Sequence, residues 1–133
     1  MATVTPRALR AEEQQTLDFL LGAPLPGMDE LRRQVPGLRV VGDCDCGCAT
    51  VDLLPDKDRV PRAVTKFSRV AVEAFSRESA AAHPAELLLH VIDGWIAELE
   101  IVDYRGDNRQ RRFPEVDTWG PPGGPPWVVI EPG

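Results

Sequence analysis

Between Ala85 and Tyr104, two runs rich in β-branched and aliphatic residues meet at Asp93-Gly94. That dipeptide accepts the positive φ angles of a two-residue hairpin turn, the connection whose twist matches that of its flanking strands. The segment therefore predicts an antiparallel hairpin, and any fold must be built around it. Counting outward from a two-residue loop pairs Ile92 with Trp95, His90 with Ala97, Leu88 with Leu99 and Glu86 with Ile101 on one face. The other face pairs Val91 with Ile96, Leu89 with Glu98 and Leu87 with Glu100. On this register the first face is apolar apart from His90 and Glu86, and the second mixes aliphatic side chains with carboxylates.

The remaining elements follow from periodicity and breakers. Thr5 is placed to cap a helix with Pro6 at its first position, and Leu9, Glu13, Leu17, Leu20 and Leu21 continue at helical spacing to Gly22. Met28, Leu31 and Val35 mark a short second helix, ended by Pro36 and Gly37. Leu38, Val40 and Val41 before a tight Asp43–Gly47 segment, and Val51, Leu53 and Leu54 after it, read as two strands. The charged stretch from Leu54 to Arg62 holds Pro55 and Pro61 and reads as a loop. Residues 67–76 fit either a helical face or a strand; the strand is assigned because the sheet needs a partner there.

The last 14 residues, Gly120 to Gly133, contain five prolines and four glycines, which excludes a packed helix or a central strand. Phe113, Trp119, Trp127 and the Val128–Ile130 run are nevertheless too apolar for a solvated linker. The tail is expected to dock on its own domain rather than to offer a polyproline segment to a partner. The expectation is one α+β domain over residues 1–113, with two N-terminal helices packed on an antiparallel four- or five-stranded meander sheet. Residues 114–133 form the docked Pro/Gly-rich tail.

A formal charge of −6 and an isoelectric point near 4.9 argue against a nonspecific grip on nucleic acid or anionic membrane, which needs clustered positive charge. The longest apolar run, Leu87 to Ile92, is interrupted by His90 and is far short of the roughly 18 residues needed to span a bilayer. Residues 1–10 lack the basic, apolar and small-residue blocks of a secretory signal, so cytoplasmic residence is the expectation.

Three cysteines fall within five positions, Cys44, Cys46 and Cys48, which cannot make the spaced disulfide framework of a small secreted domain. Residues two apart share one side of a strand, and a turn at Gly47 would also let the thiols converge. Soft thiolates suit zinc or cuprous copper. A tetrahedral zinc site needs a fourth ligand, for which His90, His83 or a neighbouring Asp are the candidates. Redox chemistry is the weaker reading, because Asp43, Asp45 and Asp52 would raise the thiol pKa by like-charge repulsion. The plainest reading packs the thiols as small apolar side chains.

Elsewhere the chemistry is thin. His90 on an apolar face reads first as a hydrogen-bonded core histidine, and His83 before Pro84 as exposed. Glu98 and Glu100 are paired carboxylates of the kind used in acid–base catalysis, but alternating Glu on a strand is the usual sign of a solvated face. Arg105, Arg109, Arg111 and Arg112 are diluted by Asp103 and Asp107. The Gly120–Pro126 run has too many prolines to cradle phosphate, and no Gly-x-Ser-x-Gly is present.

The Cys-x-Cys-Gly-Cys strand entry at Cys44–Cys48, together with Leu87–Glu100, resembles short uncharacterised proteins of high-GC bacteria over roughly residues 12 to 104. The resemblance implies a single compact unit and carries no activity. The leading expectation is a small cytoplasmic binding protein without catalysis, acting on a protein partner or on a second copy of itself. The alternative is a zinc- or copper-binding protein using Cys44, Cys46 and Cys48 with His90.

Overall fold

The computed structural model describes residues 2–64, 68–76, 85–104 and 111–129. Its fold is α+β, with two helices and one antiparallel sheet. The strands are β1 (Ala2–Arg7), β2 (Arg39–Asp43), β3 (Val51–Leu54), β4 (Arg69–Phe75), β5 (Ala85–Ile92), β6 (Trp95–Asp103) and β7 (Gly123–Val129). The helices are α1 (Ala11–Leu20) and α2 (Met28–Arg33). Among the described residues no helix is long and apolar enough to cross a membrane.

The sheet has seven strands in the order β1-β2-β3-β6-β5-β4-β7, so the expectation of four or five in one meander is corrected. Two meanders, β1-β2-β3 and β4-β5-β6, are joined between β3 and β6, which reverses the second relative to a continuous run. The two extra strands lie at the two edges. Both contain proline, which an edge tolerates because one side of the strand has no ladder to complete.

At the N-terminus Pro6 does not open a helix. It lies in β1 within the irregularity between the Thr3↔Gly42 and Arg7↔Val40 pairs. The helix begins only after Arg10, whose amide donates to Glu13 Oε1 at 2.7 Å. Arg7 grips the same buried carboxylate with two bonds of 2.8 and 2.9 Å. Residues 69–75 are a strand, paired along their whole length with β5. At the other end, β7 pairs with β4 through Val70↔Val129, Ala71↔Val128 and Glu73↔Gly123. The Pro-rich run is therefore strand backbone on the sheet edge.

The hairpin turn forms as read, with φ of 51° at Asp93 and 83° at Gly94. Its register does not. Ile92↔Trp95 and Val91↔Ile96 are followed by His90↔Glu98, so β6 carries one residue more than β5 and Ala97 is left over as a bulge. Beyond it every pair slips by one and the faces exchange. Leu89 now faces Leu99 and Leu87 faces Ile101, and all four are fully buried. They share the core with Leu17, Leu20, Leu21 and Leu31 of the helical layer and with Val70, Val72 and Ala74 of β4. His90, Glu98 and Glu100 are turned together onto the face away from the helices.

Gln34, just past α2, clamps this hairpin to the helical layer. Its Nε2 donates to the Gly94 carbonyl at 2.8 Å and to that of Pro61 at 3.1 Å, and its Oε1 accepts from the Ile96 amide at 2.9 Å. The side chain is fully buried, and these bonds account for its polar atoms.

Candidate functional site

The three cysteines occupy the connection between β2 and β3. The Cys44 amide donates to the Thr50 carbonyl at 3.3 Å, and the Gly47 amide closes back on the Cys44 carbonyl at 3.0 Å. Gly47 has φ of 83°, a conformation that side chains rarely adopt, and it lets the chain reverse between the second and third thiol. Arg111 crosses this turn and donates from Nη1 to the Cys46 carbonyl at 2.9 Å. A Cβ built on Gly47 would stand 3.5 Å from that nitrogen, an ordinary contact, so it is the positive φ and not the space beside Arg111 that favours glycine here.

This turn brings the three sulfurs within 4.8 Å of one another. Cys44 Sγ and Cys46 Sγ are 2.9 Å apart, and the Cys48 amide donates to Cys46 Sγ at 3.4 Å. Cys46 is exposed, Cys44 half-buried and Cys48 buried, and all three are free thiols. A cleft of about 260 Å³ opens beside them, lined by Arg10, Glu12, Asp43, Arg111 and Phe113 among others. The cysteines thus sit beside the N-terminal end of α1.

The electrostatics differ from the sequence expectation of uniformly raised thiols. Hydrogen bonding from the Cys44 thiol, aided by the Cys48 amide and thiol and by the charge of Arg111, brings Cys46 down to about 7. Cys44, which holds the shared proton, is pushed up to about 11 by the same contact. The groups that lower Cys46 most are its sequence neighbours Cys44 and Cys48, brought onto it by the turn, while Arg111 adds its charge from a distant part of the chain.

His90 does not join this cluster. It stands with Glu98 and Glu100 in a second group, whose ligand atoms also lie within 4.8 Å of one another. Its Nε2 is 2.8 Å from Glu100 Oε1, whereas its Nδ1 is buried without a hydrogen-bond partner. The bulge at Ala97 creates this second cluster, and no periodicity argument counts that extra residue. Asp103, at the end of β6, is buried opposite Ala85. Of the arginines, Arg111 reaches the cysteine turn and Arg112 pairs with Glu12 at 3.3 Å. His83, Arg105 and Arg109 lie outside the described residues.

The same outer face carries a carboxylate pair. Burial, then a hydrogen bond with Glu86 and the charge of Glu86, pushes Glu73 up to about 7. Tyr104 donates its hydroxyl to Glu86 and is itself pushed up to about 12, chiefly by that bond. A carboxyl whose folded pKa lies above its ordinary value stabilises most below that ordinary value and loses the contribution as pH rises through 7. The protein should therefore lose stability between pH 5 and pH 8 through this pair. Glu73→Gln should flatten that slope and raise the urea midpoint at pH 8 relative to the parent; an unchanged slope would show that the two carboxyls do not share a proton.

Comparison with protein families, with curated proteins and with solved structures returns no match.

Proposed function

We propose that the protein binds one thiophilic metal ion, zinc or cuprous copper, at Cys44, Cys46 and Cys48. The convergence of three sulfurs on a five-residue turn carries this reading. Three sulfurs around one ion at the usual zinc–sulfur length of about 2.3 Å stand roughly 4 Å apart. The turn already holds the sulfurs within 4.8 Å of one another, close to that spacing. Cuprous copper is satisfied by three thiolates, and zinc would complete its tetrahedron with water from the adjoining cleft. Arg111 on the Cys46 carbonyl fixes the backbone from which the exposed ligand projects. Such a site serves structure or sensing rather than catalysis.

Cobalt titration of the reduced protein tests this directly. One equivalent should give sulfur-to-cobalt charge-transfer absorption, with zinc or cuprous ion displacing it and all three thiols becoming masked from alkylation. Cys46→Ser should weaken binding by about tenfold or more and remove the metal-dependent gain in thermal stability. Three freely titratable thiols in the presence of excess zinc and of cuprous ion would end the proposal.

A protein partner is the second reading. Phe75 and Tyr104 are 54% and 58% exposed on the outer sheet face, beside Glu73 and Glu86. Sedimentation of the same samples against concentration addresses the self-associating form, and a single monomeric species throughout removes it.

A further inference from the structure

We infer that the sheet face opposite the helices carries a second cation site, independent of the thiols, in which His90, Glu98 and Glu100 take a divalent first-row ion of the manganese type. Glu98 stands directly across from His90, and Glu100 lies two residues further along the same face of β6. Direct cross-strand neighbours and residues two apart on one strand are the closest side-chain neighbours a sheet offers. The result is one imidazole and two carboxylates with donor atoms within 4.8 Å of one another.

The histidine points to a ligand independently of this spacing. It is only 6% exposed, and its Nδ1 is sealed from solvent with no hydrogen-bond partner. Buried polar atoms in proteins are usually paired, so a buried imidazole that meets Glu100 through Nε2 and has no partner at Nδ1 keeps hydrogen-bonding or ligand capacity that its protein neighbours do not use. Carboxylates with imidazole form a hard-to-borderline donor set, suited to Mn²⁺, whereas the cysteine turn offers only soft sulfur.

Manganese separates the two sites because it is a poor thiolate ion. Titration of the full-length reduced protein, followed by electron paramagnetic resonance of free Mn²⁺, should show one ion bound per chain. Glu98→Gln, which keeps the side chain's size, should weaken that binding at least tenfold, and Cys46→Ser should leave it unchanged. In the unsubstituted protein, Mn²⁺ should broaden amide resonances around His90 and Ala97–Glu100 first, a readout that requires no variant to fold. The inference is overturned by an absence of binding at millimolar Mn²⁺, by equal loss in Cys46→Ser, by full binding in folded Glu98→Gln, or by broadening centred elsewhere.

Discussion

Gly94→Ala should remove about 3–5 kcal/mol of stability, a large part of what a domain of this size has to lose. Two effects act together. Gly94 has φ of 83°, where alanine is strained, and a Cβ built there would stand 2.0 Å from the Ala63 carbonyl oxygen and 2.6 Å from Arg62 Cγ. The arginine side chain can swing away, but the carbonyl cannot, because the Ala63 amide is bonded to the Gly94 carbonyl at 3.0 Å. Relief therefore requires moving the hairpin tip off the 61–63 segment and off Gln34, which holds the Gly94 carbonyl and the Ile96 amide together. Asp93→Gly is the control: it keeps positive φ available and should shift stability by less than about 1 kcal/mol. Urea unfolding of the three proteins decides the matter. A Gly94→Ala midpoint equal to the parent's would mean that the tip does not pack as described.

That turn also shows where a reading of the residues succeeds and where it stops. Asp93-Gly94 specifies its own backbone angles, so the hairpin was legible from two residues, and the strands on either side of Asp43–Gly47 were legible from short aliphatic runs. Ala97 was not, because an alanine in a bulge looks like an alanine in a ladder, and one uncounted residue exchanges the faces of everything beyond it. The two clusters inherit this difference. Cys44, Cys46 and Cys48 converge through a local turn marked by its own glycine, so their grouping needed no tertiary information. The grouping of His90 with Glu98 and Glu100 depends on the bulge, and Arg111 reaches Cys46 across 65 positions of sequence. The edge strands failed for a related reason: prolines at 6, 125 and 126 argue against interior strands, and only the sheet order makes Ala2–Arg7 and Gly123–Val129 edges.

Trp119→Ala should cost about 3–5 kcal/mol, as expected for a large aromatic removed from a packed interior. Trp119 is 2% exposed and belongs to the same core as the helices and the central strands, although it lies in the proline- and glycine-rich final segment. It is bridged to Ser76, and the amide after it, that of Gly120, donates to the Phe75 carbonyl at 2.8 Å. These contacts at the end of β4 come just before β7 begins, so the buried indole and the backbone beside it tie the chain to β4 ahead of the tail's run along that strand. Its Nε1 is buried without a hydrogen-bond partner, which makes the residue costlier to bury than its area suggests. Trp119→Phe removes that orphan donor while keeping most of the ring, and should retain at least about 2 kcal/mol of what alanine loses. Hydrogen exchange adds the positional readout: in Trp119→Ala the β4 amides facing β7 should exchange well before those facing β5. Uniform loss of protection across β4 would show that Trp119 supports the core alone, with no separate hold on the tail.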